Sequence, residues 1–192
     1  MKNKSVISLF CGLGGLDLGF YDEGYKIIWA NDFSKQAVES YQLNFPFRPV
    51  LGDITHIPIN EIPDADVVIG GPPCQSFSLV GLRKPDDERG RLVFLFYEIV
   101  KEKRPSAFVM ENVPGILSSR VEGVRLPDFL AQSFINLGYY VTTMELLAAN
   151  FLVPQMRRRI VLIGSLMRKP MAPDPVVYAK ECFGVDWNTF DI

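Results

Sequence analysis

The sequence predicts an α/β fold in which a mostly parallel sheet is covered by helices on both faces. Short apolar runs alternate along the chain with segments whose apolar residues recur at helical spacing, and glycine or proline marks most of the joints. With 48% hydrophobic and 22% charged residues, the 192-residue chain is long enough for one sizeable core and short for two, so a single domain is expected.

The elements follow in order. Ser5 to Phe10 is an apolar run ending in "CGLGG", and Leu16 to Glu23 reads as a helix closed by Gly24. Tyr25 to Ala30 is a second strand, and "SKQAVESYQLNF" opens a second helix with Ser34 at its N-cap. Val50 and Leu51 make a weak third strand. Asp66 to Gly70 is a β-branched fourth, followed by an aromatic-rich helix from Leu92 to Lys103. Ala107 to Met110 is strand-like, and Pro127 to Leu137 is helical between a proline start and Gly138. Tyr139 to Leu147 and Arg159 to Gly164 complete the strands. Residues 1–165 therefore read as the core domain, and residues 166–192, with three prolines close together and little periodicity, as a linker or terminal arm.

Charge and cysteine usage exclude several classes. A formal net charge of -2 gives no global attraction to nucleic acid, although Arg157 to Arg159 and Lys101 to Arg104 are locally basic. The amino terminus is too short in apolar residues for a secretory signal, and "LVFLFYEIV" is far below membrane-spanning length, so the chain reads as soluble and cytoplasmic with no membrane partner. Cys11, Cys74 and Cys182 are widely spaced and His56 is the only histidine; neither a disulfide framework nor a metal site is expected.

In such a sheet ligands bind beyond the carboxyl ends of the strands, and those loops carry the unusual residues. "FCGLGG" lets backbone approach a ligand, although Gly12, Gly14 and Gly15 lack dinucleotide-loop spacing and could form a purely structural turn. Asp32 is suited to a ribose diol or to a helix cap, and Asp53 to an exocyclic amine or to a turn. Pro72 and Pro73 stiffen the corner that presents Cys74, where a buried spacer would need no such rigidity. Glu111, ending the fifth strand, is either a carboxylate among partners or an acid with a raised pKa. Period-two alternation puts Arg157 and Arg159 on one side and Arg158 on the other.

"FCGLGG", "GPPCQSFS", "ENV" and "QMRRR", in that order, resemble the motifs of the DNA cytosine-5 methyltransferases over residues 5 to 164. The resemblance implies a Rossmann-like S-adenosylmethionine-dependent methyltransferase fold and that cofactor. Phe10, Gly12, Gly14 and Gly15 would line its methionine portion, Asp32 would hold the ribose, Phe33 and Ile54 would sandwich the adenine, and Asp53 would accept from its amino group. Pro72 and Leu92 would add cofactor contacts. Cys74 would be the nucleophile, Glu111 the acid, and Arg157 and Arg159 pocket arginines, with Gln75, Ser76, Asn112 and Gln155 toward double-stranded DNA. The loop from Leu79 to Gly90 would be a lid.

Two departures from the family pattern matter. Leu152 stands where most members have glycine, and the 27 residues after position 165 match none of the family's recognition region or closing motifs. The expectation is therefore the catalytic subunit of a split or truncated restriction-modification methyltransferase, with a second polypeptide supplying target recognition. The alternatives are an inactive remnant or interaction module that binds cofactor only, RNA in place of DNA as substrate, and a nicotinamide-dependent oxidoreductase, which leaves "PPCQ" unexplained.

Overall fold

Residues 4–73 and 88–184 are described by a computed structural model. Its strands are β1 (Ser5–Leu9), β2 (Lys26–Asp32), β3 (Val50–Leu51), β4 (Val67–Gly70), β5 (Ala107–Asn112), β6 (Arg120–Val121), β7 (Val124–Arg125), β8 (Tyr140–Leu147) and β9 (Arg158–Ser165). The helices are α1 (Gly15–Asp22), α2 (Lys35–Gln42), α3 (Glu88–Lys103), α4 (Leu126–Asn136) and α5 (Pro175–Phe183). Seven strands form one sheet in the order β3-β2-β1-β4-β5-β9-β8, while β6 and β7 pair separately as a small hairpin.

Alternation along the central strands explains the layering. Val6, Val67 and Ile69 pack on one face with Phe20 of α1 and Tyr41 of α2, whereas Ile7, Leu9 and Val68 pack on the other with Phe96 of α3 and Phe134 of α4. Both faces are apolar, so β1 and β4 are buried almost throughout, as parallel strands between two helix layers should be. Ser34 caps α2 by accepting from the Ala37 N–H at 3.3 Å, as its place in the sequence predicts.

The strand order reverses between β1 and β4, which opens a crevice at their carboxyl ends. β9 is antiparallel to both β5 and β8, so its first residues lie at that same edge. β5 runs two residues beyond the expected Met110, because Glu111 and Asn112 pair with Val161 and Ile160. β2 likewise extends to Asp32, whose partner in β3 is Leu51.

The segment after Ser165 departs from the irregular arm expected. Its backbone returns along β8, where the Thr142 hydroxyl donates to the Pro170 carbonyl at 2.6 Å, and then forms α5. Asp174 caps that helix by accepting from the Val176 N–H, Pro175 occupies its first turn, and Gly184 ends it at φ 66. Ala179 is fully buried, and the Tyr178 ring meets Phe151 edge-on at 5.5 Å. Asp-Pro before an amphipathic stretch and glycine after it are helix signals that the cluster of prolines masked.

Leu152 follows a 3-10 turn at Ala148–Phe151 with φ 62, the left-handed conformation in which glycine is unstrained. The turn is kept despite the leucine. Elsewhere a missing side chain is a packing requirement: a Cβ on Gly164 in β9 would run into the Phe108 ring of β5, part of the main core. Gly164→Ala should therefore destabilise the fold by about 1–3 kcal/mol through overpacking, measured as a lower urea midpoint with an unchanged m-value.

Candidate active site

The site is built at the carboxyl edge, starting from the glycine loop. Phe10 leaves β1 with φ 55, a strained conformation for a non-glycine residue, and its side chain borders a cavity of about 460 Å³. The loop then turns back through three fixed points. The Cys11 N–H donates to the Asn31 carbonyl at 2.9 Å, the Gly12 N–H donates to Asp32 Oδ2 at 2.9 Å, and the Gly14 N–H donates to the Cys11 carbonyl at 2.9 Å.

Asp32 serves two backbones with its two oxygens. Oδ2 takes the Gly12 N–H and Oδ1 takes the Ser34 N–H at 2.8 Å, so one carboxylate joins the glycine loop to the entry of α2. Each oxygen keeps a further lone pair for a ligand hydroxyl. Asn31 secures the next loop, donating from Nδ2 to the carbonyls of Val50 and Gly52 at 2.9 and 3.0 Å. Asp53 accepts from the Thr55 N–H at 2.9 Å and caps a 3-10 turn at Ile54–His56. Those bonds to Thr55 hold its carboxyl below the usual range, so Asp53 stays ionised as an acceptor.

Six of the ten residues expected at the cofactor lie together on the cavity wall: Phe10, Asp32, Phe33, Asp53, Ile54 and Leu92. Phe33 is 72% exposed, an unusual position for a phenylalanine. Asn31, Gly52, Thr55, Gly71, Pro73 and Arg91 complete the wall and were not expected. Asn31 could have been found as the polar neighbour of Asp32 at a strand end; Arg91 offered only its place beside Leu92.

Gly12, Gly14, Gly15 and Pro72 do not border the cavity. A Cβ on Gly12 or Gly15 would meet nothing within 4 Å, so their Cα faces are open. Gly14 is different, because a Cβ there would overlap the Phe45 and Tyr41 rings while φ is 88. Its lack of a side chain leaves room for those two rings and so shapes the loop.

Beyond the cavity stands the acid expected at β5. Glu111 is 29% exposed, and its Oε1 lies 2.5 Å from Arg159 Nε and 4.0 Å from Arg157 Nη2. The Arg159 Nε–H is not aligned on that oxygen, so the contact is an ion pair without a directed hydrogen bond. Arg158 points away and pairs with Glu145 of β8 at 2.9 Å, the alternation expected for the three arginines. Glu111 thus stands beside two cationic side chains at the end of β5. A Cβ on Gly71 would lie 3.1 Å from Glu111 Oε2, so this bare position separates Glu111 from the cavity.

Asn112 was expected to face substrate. It is 3% exposed, donating from Nδ2 to the Pro72 carbonyl at 2.9 Å and accepting from the Val113 N–H at Oδ1. Its carboxamide thus ties the proline corner to the end of β5. Gln155 lies exposed in the loop before β9, with its N–H on the Val153 carbonyl. Cys74, Gln75 and Ser76, and all but the last few residues of the expected lid, lie outside the described residues. Among the described residues no group of three histidine, cysteine or acidic side chains could hold a metal ion, and no helix is long and apolar enough to cross a membrane. Asn112→Ala should leave the Pro72 carbonyl unpaired and lower stability by about 1–3 kcal/mol, read from denaturant titration.

Comparison with known proteins accords with this layout. The chain is 42% identical over 168 residues to the type II methyltransferase M.NgoFVII of Neisseria gonorrhoeae, covering 85% of this chain and 44% of that protein. It is 39% identical over 190 residues to the type II methyltransferase M.AquIA of Picosynechococcus, covering 90% and 76%. The chain thus spans under half of some relatives it matches. A solved structure from an E. coli prophage, described as a DNA modification methyltransferase, superposes with a TM-score of 0.70 at 29% identity, over 93% of this chain and 54% of that one. S. pombe Dnmt2 methyltransferase shares the fold with a TM-score of 0.66 at 21% identity, over 88% of this chain and 51% of that one. The model of C-5 cytosine-specific DNA methylases matches residues 4–183, from the first strand through the last helix, and the chain belongs to that family.

Proposed function

We propose that this chain is the catalytic part of a restriction-modification DNA methyltransferase that methylates carbon 5 of cytosine, and that a second polypeptide carries the target-recognition region. The observation that supports it most is the meeting of Glu111 with Arg159 and Arg157 across Gly71 from the cavity. The catalytic unit runs through residue 165, and residues 166–192 form an arm whose described part folds back on it.

The cavity suits S-adenosylmethionine, which supplies an electrophilic methyl group on a sulfonium. Asp32 is a buried carboxylate at the glycine loop, and among the described residues no lysine or arginine lies within ion-pair distance of it. A ligand bearing positive charge offsets such a field. Phe33 and Ile54 hold the purine from two sides, ionised Asp53 accepts from its amine, and Asp32 accepts from the ribose. Phe10, Gly12 and Gly15 give the methionine portion open backbone, with Gly14 shaping the loop and Leu92 and Pro72 bounding the site.

The chain's own groups then activate cytosine. Carbon 5 is a poor nucleophile, so the Cys74 thiolate adds to carbon 6 of a base flipped out of the duplex. Glu111 protonates or hydrogen-bonds ring nitrogen 3 and so stabilises the electron density that addition creates. Arg159 fixes the Glu111 carboxylate and, with Arg157, presents positive charge to the base's carbonyl oxygen. After carbon 5 takes the methyl group, a base removes its proton and the electrons of that C–H bond expel Cys74. Asn112 acts through the corner it anchors, while Gln75, Ser76 and Gln155 face DNA.

The second polypeptide would supply what relatives such as M.NgoFVII carry outside the matched region, since this chain spans 44% of that protein. Transfer of labelled methyl groups to DNA should appear on mixing with a polypeptide bearing a recognition region. Cys74→Ser should abolish covalent trapping on 5-fluorocytosine DNA in gel assays while S-adenosylmethionine binding persists. Arg159→Ala should lower kcat about 100-fold or more, the scale of losing one oriented charge donor.

A further inference from the structure

The first turn of α1 holds a carboxylate that the proposed chemistry does not use. An acidic residue there would ordinarily face water and complement the helix dipole. Asp17 is instead completely buried. Its Oδ2 accepts from the Ser8 hydroxyl of β1 at 2.8 Å, and its Oδ1 accepts from the Tyr41 hydroxyl of α2 at 2.8 Å. Both donors are neutral, and burial pushes the Asp17 carboxyl up from its ordinary range.

Tyr41 reaches the same region a second way. Its ring stacks on Phe45 at 4.2 Å, and the two rings fill the space where Gly14 would otherwise carry a side chain. Gly14 is the N-cap of α1, and its carbonyl receives the Leu18 N–H at 2.8 Å. One tyrosine therefore holds the entry of α1 by its ring face and the first turn by its hydroxyl. Asp17 joins β1, α1 and α2 where the glycine loop leaves the sheet. The neighbouring Cys11 thiol is buried as well, and after burial the charges of Asp17 and Asp32 push it further up.

We infer that Ser8, Asp17 and Tyr41 form a buried positioning unit that holds residues 10–15 in their cofactor-binding conformation. The inference rests on the reading of that loop as part of an S-adenosylmethionine site. Tyr41→Phe keeps the ring against Gly14 and deletes only the hydroxyl. Tyr139→Phe is the control, because it deletes an equally buried hydroxyl, bonded to the Pro105 carbonyl at 2.7 Å on the other face of the sheet.

The experiment measures amide hydrogen exchange of the free chain together with calorimetric binding of S-adenosylmethionine, with any partner subunit present throughout the binding runs. Tyr41→Phe should speed exchange of amides 11–15 tenfold or more, leave β5 and β9 at wild-type rates, and weaken binding about fivefold. Tyr139→Phe should leave both loop exchange and binding within twofold of wild type. Adding Asp17→Asn to Tyr41→Phe should weaken binding less than Asp17→Asn does alone; if Asp17→Asn does not fold, the tyrosine pair decides. Uniform acceleration across the chain, an unchanged loop, or equal loss of binding in both tyrosine variants would overturn the inference. Wild-type protein that bound no S-adenosylmethionine would instead overturn the cofactor reading, while loop exchange would still test the positioning unit.

Discussion

The reversed direction of β9 is the constraint on which the site depends. Were β9 parallel to β5, its first residues would lie at the amino edge of the sheet, far from the end of β5. Running antiparallel, it sets Ile160 opposite Asn112 and brings Arg159 onto Glu111. Ladder hydrogen bonds therefore do part of the work of placing two charged side chains, and neither needs a long flexible loop to reach the other. Surface ion pairs contribute little to stability, so this partly exposed pair is better understood as orientation than as a source of folding energy.

The cavity rests on a second economy, the sharing of acceptors. Asp32 holds the glycine loop and the α2 entry with one carboxylate, and Asn31 holds the β3 loop with one amide. Backbone groups that would otherwise be unsatisfied at strand ends are paired by these two adjacent residues. Capping and ligand binding are thus compatible for Asp32 and Asp53, since each keeps lone pairs after its backbone bonds are made.

Much of this was legible in the residues. Apolar runs marked the strands, Ser34 marked a helix start, and alternation separated Arg158 from its neighbours. Asp32 and Asp53 stand out in their own loops, Phe10, Phe33, Ile54 and Leu92 follow from the family resemblance, and all six border one cavity. What was illegible has physical causes. Asn112 looked like a substrate contact because sequence shows its type and place but not its burial beneath the proline corner. The glycines at 12, 14 and 15 look equivalent in sequence, yet only at 14 do the Tyr41 and Phe45 rings occupy the missing side chain's space. α5 was missed because prolines that precede a helix look the same as prolines that prevent one.

The sequence by itself determined the class of fold, the order of the elements and the chemical types gathered at the strand ends, because periodicity and turn chemistry are local properties. Only the tertiary structure decided that β9 enters the sheet backwards, that Gly71 lies between Glu111 and the cavity, and that Ser8 and Tyr41 converge on Asp17. Those facts depend on which strands pair and which helix covers which face, choices made by the burial of the whole core and visible in no single segment.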